Sequence, residues 1–368
     1  MPPADSRGLS YKNFRVESEP WSIHVVRLSR SAPGLEIHSF HARGLALGLG
    51  TISSQAKQAG TEFGTPVAAI NGDFYQRDRA YAGHPRGLQI AEGEILSEPT
   101  GGASFWIDAY GHARATNVVS RFRVAWPNGV TTSCGLNEDR GANRVTVYTP
   151  SAGASTKTSG GREIILERVG DGPWLPLQMG EKYEGRVREV RKGGNTPLTP
   201  EIVVLSMSPA SERSIPEIAV GAVVKIATDS TPALRGAKTA LSGGPVLVRN
   251  RRAQPIEQSE SGSYSATTMF ERHPRSAVGW NNEAFFLVEV DGRQKYLSVG
   301  MTLDELARFL VKLGCDEAMN LDGGGSATLW FDGETRNSPC DGREREIANT
   351  LVFALKDRQA NKANDRNP

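Results

Sequence analysis

Cysteine is scarce in this chain. Cys134, Cys315 and Cys340 are the only three in 368 residues. They are too few and too scattered for a disulfide framework, and could supply one bridge and one spare thiol with the pair left open. None stands in a C-x-x-C spacing, which argues against a structural zinc site. Histidine is equally thin, at six. His38 and His41 lie three apart in an expected strand and so face opposite ways. His24, His84, His112 and His273 are isolated in sequence, and no H-E-x-x-H occurs. No metal and no cofactor is expected. Charge of one sign is also missing: 43 basic against 41 acidic residues, a net +2, leave no electrostatic footprint for nucleic acid. No apolar run approaches the roughly eighteen residues of a membrane span. The opening MPPADSRGLSYKNFR is polar and has no apolar signal-peptide core. The expectation is a cytosolic protein, or a chain that starts after a removed targeting segment.

What is present is β-structure. Glycine, at 40 residues, fits a turn-rich β protein. Apolar or alternating runs predict strands over 22–28, 35–40, 67–70, 87–90, 104–108, 122–126, 145–148, 163–167, 202–205, 223–228, 246–248, 285–290 and 350–355. Turn dipeptides such as Asp171-Gly172, Asp291-Gly292 and Asp332-Gly333 punctuate them. A weak helix is expected over 52–59. The pattern predicts an α+β class: one β-rich domain over 20–356 with mixed sheets and few helices, and a β subdomain of short hairpins over 160–229. Residues 1–19 read as a polar N-terminal segment, 250–270 as a long polar loop, and 357–368 as a solvated tail.

Met301–Leu313 carries the clearest helical signal. Leu303, Leu306, Ala307, Leu310 and Val311 form one apolar stripe. Thr302 and Glu305 make a capping box, and Gly314 is a C-terminal stop. One residue later an apolar run delivers Asn320 and Asp322 into Gly323-Gly324-Gly325-Ser326. Glycines leave peptide N–H groups uncovered, so a carboxylate, an amide and a hydroxyl converge on bare backbone suited to an oxyanion or a sugar. A second polar strand end is Asn71-Gly72-Asp73, followed by Phe74 and Tyr75, whose rings could stack on sugar C–H faces. A third bare turn is Ser242-Gly243-Gly244-Pro245. Arg275 offers a fork suited to phosphate oxygens, and Arg343-Glu344-Arg345 with Asn349 leads into the last strand.

Together the segments HPRSAVGW, VDGR, S-x-G-M-T-L-x-E-L-A and N-L-D-G-G-G-S resemble the phosphodiester glycosidase family. The resemblance extends upstream through AINGDFY, GLQIAEGEIL and SGGPVLVRN, from about residue 20 to 356. It implies hydrolysis of a sugar-1-phosphodiester, such as a GlcNAc-1-phosphodiester, at the anomeric carbon. The products would be free sugar and a phosphomonoester. It also implies an extracellular or periplasmic setting.

The chemistry suits the inventory. Phosphate is a far less basic leaving group than an alkoxide, so protonating it matters less, and charge stabilisation matters more. Asp73 and Asp322 are the expected nucleophile, base or acid, with their division of labour left open. A separation of about 5 Å would indicate retention and roughly 6.5–9.5 Å inversion. Arg275 and Arg345, with the amides of Gly323, Gly324 and Gly325 or of Gly243 and Gly244, would serve the phosphate. Asn71, Asn320 and Ser326 would orient sugar hydroxyls or water. The expected partner is a sugar-phosphate substrate, which could be a polysaccharide. Two rivals remain: a phosphodiesterase-type hydrolase of cell-wall or capsular sugar-phosphate polymer, and a non-catalytic exopolysaccharide-binding protein.

Overall fold

A computed structural model describes residues 1–77, 80–256 and 269–356. The expected tail and most of the expected loop at 250–270 fall outside the described residues. Strands fall into three sheets of seven, eleven and five, and among the described residues there are two α-helices, Ile52–Phe63 and Leu303–Leu313. The class is therefore nearly all β, further toward β than the α+β reading. Alternating short apolar runs closed by glycine turns leave little chain for helices.

Contacts divide the chain into two compact units. The first comprises residues 1–42, 49–74 and 241–368. Its seven-stranded sheet runs, edge to edge, Leu9–Val16, Trp21–Ser29, Ala284–Val290, Arg275–Trp280, Glu317–Asn320, Val246–Arg249 and Arg252–Ala253. The five-stranded sheet is ordered Glu334–Thr335, Leu329–Phe331, Thr65–Asn71, Asn349–Leu355 and Leu35–His41. The N-terminal segment is thus not a loose polar lead. Leu9–Val16 pairs antiparallel with Trp21–Ser29 along its whole length. An edge strand with one exposed face needs few apolar residues, which is why the sequence hid it.

Each sheet of this unit carries a helix on one face. The capping box of Thr302 and Glu305 forms as its spacing predicts, and Gly314 closes the helix in the left-handed region at φ 98°. Leu303, Leu306, Ala307 and Leu310 pack on Ile23, Val25, Ala277, Phe286 and Val288. Burying each leucine contributes about 2 kcal/mol. Ile52, Ala56 and Ala59 of the other helix pack on Phe40, Ala69 and Val352. Because strand side chains alternate, the opposite faces of the two sheets remain. There Phe285 of one sheet meets Phe353 of the other at 5.6 Å. The unit is a helix–sheet–sheet–helix stack.

The second unit comprises residues 43–48 and 75–240. In the eleven-stranded sheet, Val223–Thr231 pairs with both Lys182–Lys192 and Ala113–Ala125, which closes seven strands into a ring. One pairing, Thr131–Leu136 with Val145–Tyr148, is parallel. Trp126, Trp174, Leu166, Val187, Val224 and Ile226 fill its core. Ala113–Ala125 and Lys182–Lys192 are longer and more polar than the expected hairpin arms, with alternating exposure that charged residues on the outer face permit. The three cysteines are free, so the one bridge they could supply is not formed. Cys134 and Cys315 are buried, and burial pushes the Cys315 thiol up to about 12.

Candidate active site

All of the expected site residues lie in the first unit. Three strand ends meet there. Asn71 closes Thr65–Asn71, Asn320 closes Glu317–Asn320, and Asn349 opens the last strand. Asn71 sits opposite Thr350 in the five-stranded sheet. Asn320 sits opposite Ala277 in the seven-stranded sheet. The site therefore forms where the two sheets finish together.

The strand ends are tied through main chain. Asp322 N–H donates to the Gly72 carbonyl at 2.9 Å. Asn71 Nδ2 donates to the Asp322 carbonyl at 2.6 Å. These bonds bring residues 71–73 against residues 321–323, so the two aspartates belong to adjoining turns. Asp73 is 4% exposed, and its N–H donates to Asn349 Oδ1 at 2.9 Å. Asp322 is half-buried, with Oδ1 accepting from Gly323 N–H at 2.9 Å.

Several residues are placed for other work than their types suggested. Asn71 is framework: its Oδ1 also accepts from Ser276 Oγ at 2.7 Å and from Thr328 N–H at 3.1 Å. Asn320 Nδ2 donates to the carbonyls of Gly244 and Leu321. Its Oδ1, like Ser326 Oγ, is buried without a hydrogen-bond partner. An amide oxygen and a hydroxyl buried in this way are costly unless something reaches them, so both mark demand for a hydrogen-bonding partner. Gly243 and Gly244 abut Asn320, with Gly244 N–H donating to its carbonyl at 2.6 Å. Two of the three amides of the glycine run are already engaged within the protein. Gly323 N–H is engaged by Asp322, and Gly324 N–H donates to the Pro274 carbonyl at 2.9 Å.

Arg275 is likewise not an open phosphate donor. Its side chain is 2% exposed, with Nε donating to the Met301 carbonyl and Nη2 to the Glu271 carbonyl, each at 2.8 Å. Burial, then repulsion from Arg293, lowers it to about 10, against the pull of Glu305. It braces two chain segments beneath the turn.

Two accessible cations, Arg345 and Arg293, lie against the glycine turn. Arg345 is half-buried and bonds Asp341 Oδ2 through Nε at 2.9 Å and Nη2 at 2.6 Å. A side chain at Gly325 would collide with its guanidinium, so only glycine lets Arg345 lie on the turn. Arg293 is exposed, and both its Nη atoms come within 3.2 Å of where a Cβ on Gly324 would stand. Its backbone is held at φ 59°, a left-handed conformation that costs a non-glycine residue about 1 kcal/mol and clusters at functional sites. Arg293 Nη2 also lies 3.3 Å from His273 Nδ1. The sequence assigns Arg293 no role. The available signal was its position two residues after Asp291, in a D-G-R turn of the same order as the other motifs.

Carboxylates, forked cations and orphaned polar atoms around a glycine turn suit an anionic, hydroxyl-rich ligand. Residues 182–354 match the family Phosphodiester glycosidase, the family the motifs resemble, and that segment contains Arg275, Arg293, Asp322 and Arg345. Asn71 and Asp73 lie upstream of it. The chain is 28% identical over 124 residues to the SPbeta prophage-derived uncharacterized protein YomE of Bacillus subtilis (strain 168), covering 33% of this chain and 18% of that one. It is 33% identical over 110 residues to the N-acetylglucosamine-1-phosphodiester alpha-N-acetylglucosaminidase of Bos taurus, covering 29% of this chain and 20% of the relative. The matched stretch thus spans about a fifth of these relatives. A hypothetical protein from Synechocystis shares the fold, at TM-score 0.75 and 20% identity over 94% of this chain and 62% of that one.

Proposed function

We propose that this chain hydrolyses a sugar-1-phosphodiester at the anomeric carbon, releasing free sugar and a phosphomonoester. The observation that carries the reading is the glycine turn after Asp322, on which the guanidinium groups of Arg293 and Arg345 rest while its main chain is bonded to the turn that holds Asp73. The bovine relative is named for N-acetylglucosamine-1-phosphodiester, which makes that the first substrate to try.

Charge decides the division of labour. In the transition state the sugar becomes oxocarbenium-like while negative charge collects on the departing phosphate. Arg293 and Arg345 would take the phosphate oxygens, with charge-assisted bonds stronger than neutral ones. Asp73 and Asp322 would stand toward the sugar, one as nucleophile or base. Asn320 Oδ1 and Ser326 Oγ, both lacking partners, would meet hydroxyls or the attacking water. Arg275 and Asn71 would hold this geometry without touching substrate. An extracytoplasmic setting belongs to the same proposal, since sugar phosphodiesters of envelopes and glycans lie there. Among the described residues no helix is long and apolar enough to cross a membrane.

The test is release of GlcNAc and methyl phosphate from an α-GlcNAc-1-phosphomethyl diester. Asp73→Asn and Asp322→Asn should each lose about 10²–10⁴-fold in kcat, the range of a positioned acid or base. Full turnover in either folded variant would overturn the assignment, and binding without any phosphomonoester from the wild type would make the chain a carbohydrate-binding protein.

A further inference from the structure

A buried cluster away from the glycine turn has no place in that mechanism. Trp21–Ser29 and Ala284–Val290 pair so that His24 stands opposite Glu289, and Asp291 follows at the end of the second strand. The three side chains are 4%, 0% and 1% exposed. One ligand atom from each, a ring nitrogen and two carboxylate oxygens, lies within 4.8 Å of the others. His24 Nε2 is 2.9 Å from Asp291 Oδ2. Both carboxylate oxygens of Glu289 are buried without a hydrogen-bond partner.

A carboxylate beside a second one, both out of water, is strongly disfavoured unless it takes up a proton or a positive charge joins them. Among the described residues neither Glu289 nor Asp291 is ion-paired with lysine or arginine. Arg336 is occupied over the rings of Tyr11 and Phe331. The other groups facing the cluster are neutral. Asn13 Nδ2 and Ser22 Oγ each lie 3.1 Å from His24 Nε2. Asn337 Nδ2 donates to the Ala327 carbonyl, and the Asn337 side chain also faces the Glu289 carboxylate. Ser338 N–H donates to Asp291 Oδ1 at 2.7 Å.

We propose that His24, Glu289 and Asp291 bind one divalent cation of the zinc or manganese class, through Nε2 and one oxygen from each carboxylate. One imidazole and two carboxylates are the mixed donor set such borderline ions take, whereas calcium sites use oxygen alone. The surroundings already orient the ligands. His24 Nδ1 is 2.7 Å from Tyr11 Oη, an acceptor that would fix the Nδ1–H tautomer and turn Nε2 inward. The Ser338 bond to Oδ1 leaves Asp291 Oδ2 for the ion. Half-buried Tyr11 and Asn13 form the side from which an ion would enter. The cation would clamp the first strand pair to residue 291, two residues before Arg293, and so is structural.

Isothermal titration and thermal unfolding of the chelator-treated full chain with ZnCl2, MnCl2 and CaCl2 test this, alongside elemental analysis of the protein as purified. The expected result is one zinc or manganese ion per chain. A 100-fold excess of free ion over Kd should raise Tm by about 3–4 °C. Glu289→Gln, nearly isosteric, should fold and lose both the stoichiometric ion and the shift, and His24→Gln should lose zinc preference. No bound ion and no shift with any of the three salts would overturn the proposal. So would equal responses from wild type and Glu289→Gln, which would place the ion on surface carboxylates. These readouts need no turnover, so they stand or fall apart from the glycosidase reading.

Discussion

Asn71→Ala offers the sharpest test of how the site is held. Asn71 is 1% exposed, and its amide makes three bonds to three separate segments, at Ser276, Thr328 and Asp322. Truncation removes all three and leaves their partners behind. Thr328 N–H, 2% exposed at the residue, is the most costly orphan because a buried donor without an acceptor costs about 1–3 kcal/mol. The Ser276 hydroxyl can rotate to another acceptor, and half-buried Asp322 lets water reach its carbonyl, so these two add less. The sum is about 2–4 kcal/mol, a large share of the 5–15 kcal/mol by which domains are usually stable. Asn128→Ala is the matched control. Its Oδ1 accepts one bond from Val130 N–H in an exposed turn, so its loss should cost about 1 kcal/mol or less. Urea unfolding would give the totals, and hydrogen exchange of peptides spanning 317–331 would show whether the loss is local. A value for Asn71→Ala within 1 kcal/mol of wild type, with exchange there unchanged, would refute the reasoning.

Arg293→Ala and Arg345→Ala should each lower kcat/KM on the phosphodiester by about 10–150-fold, the loss of one charge-assisted bond, with Tm little changed. Arg275→Ala should behave in the opposite sense, lowering Tm first, because it empties the space of a buried side chain and removes its bonds to the Met301 and Glu271 carbonyls; equal Tm losses in all three variants would erase the distinction. In the second unit, burial raises Glu138 to about 7, opposed by Arg144 and reinforced by Glu98. Its folded value lies above its ordinary one near 4.5, so its contribution is complete below that pH and is lost as pH rises toward 7. Glu138→Gln should flatten the fall in stability across that window, and an unchanged slope in urea titrations at pH 4.5 to 7 would count against it.

Much of the fold was legible. The amphipathic stripe and capping box of Leu303–Leu313 needed no tertiary help, since both are local patterns. The apolar strands at 67–70, 145–148 and 285–290 stood out because each is buried on both faces. Leu9–Val16 was not legible, because an edge strand can be polar and still pair. For the candidate site, residue types pointed to segments that the fold brings together, while side-chain direction was invisible. Nothing in sequence says that Arg275 turns inward to carbonyls while Arg293 and Arg345 lie on the turn. Nor can spacing reveal that the amides of Gly323 and Gly324 are engaged. His24 looked isolated for the same reason: its neighbours Glu289 and Asp291 are more than 260 residues away along the chain and meet it only through strand pairing.

The most direct test of the central claim is hydrolysis of the α-GlcNAc-1-phosphomethyl diester in oxygen-18 water, with mass spectrometry of both products. Attack at the anomeric carbon predicts the label in the sugar and none in methyl phosphate. Label in the phosphate instead would mean phosphorus–oxygen cleavage, and the chain would be a phosphodiesterase.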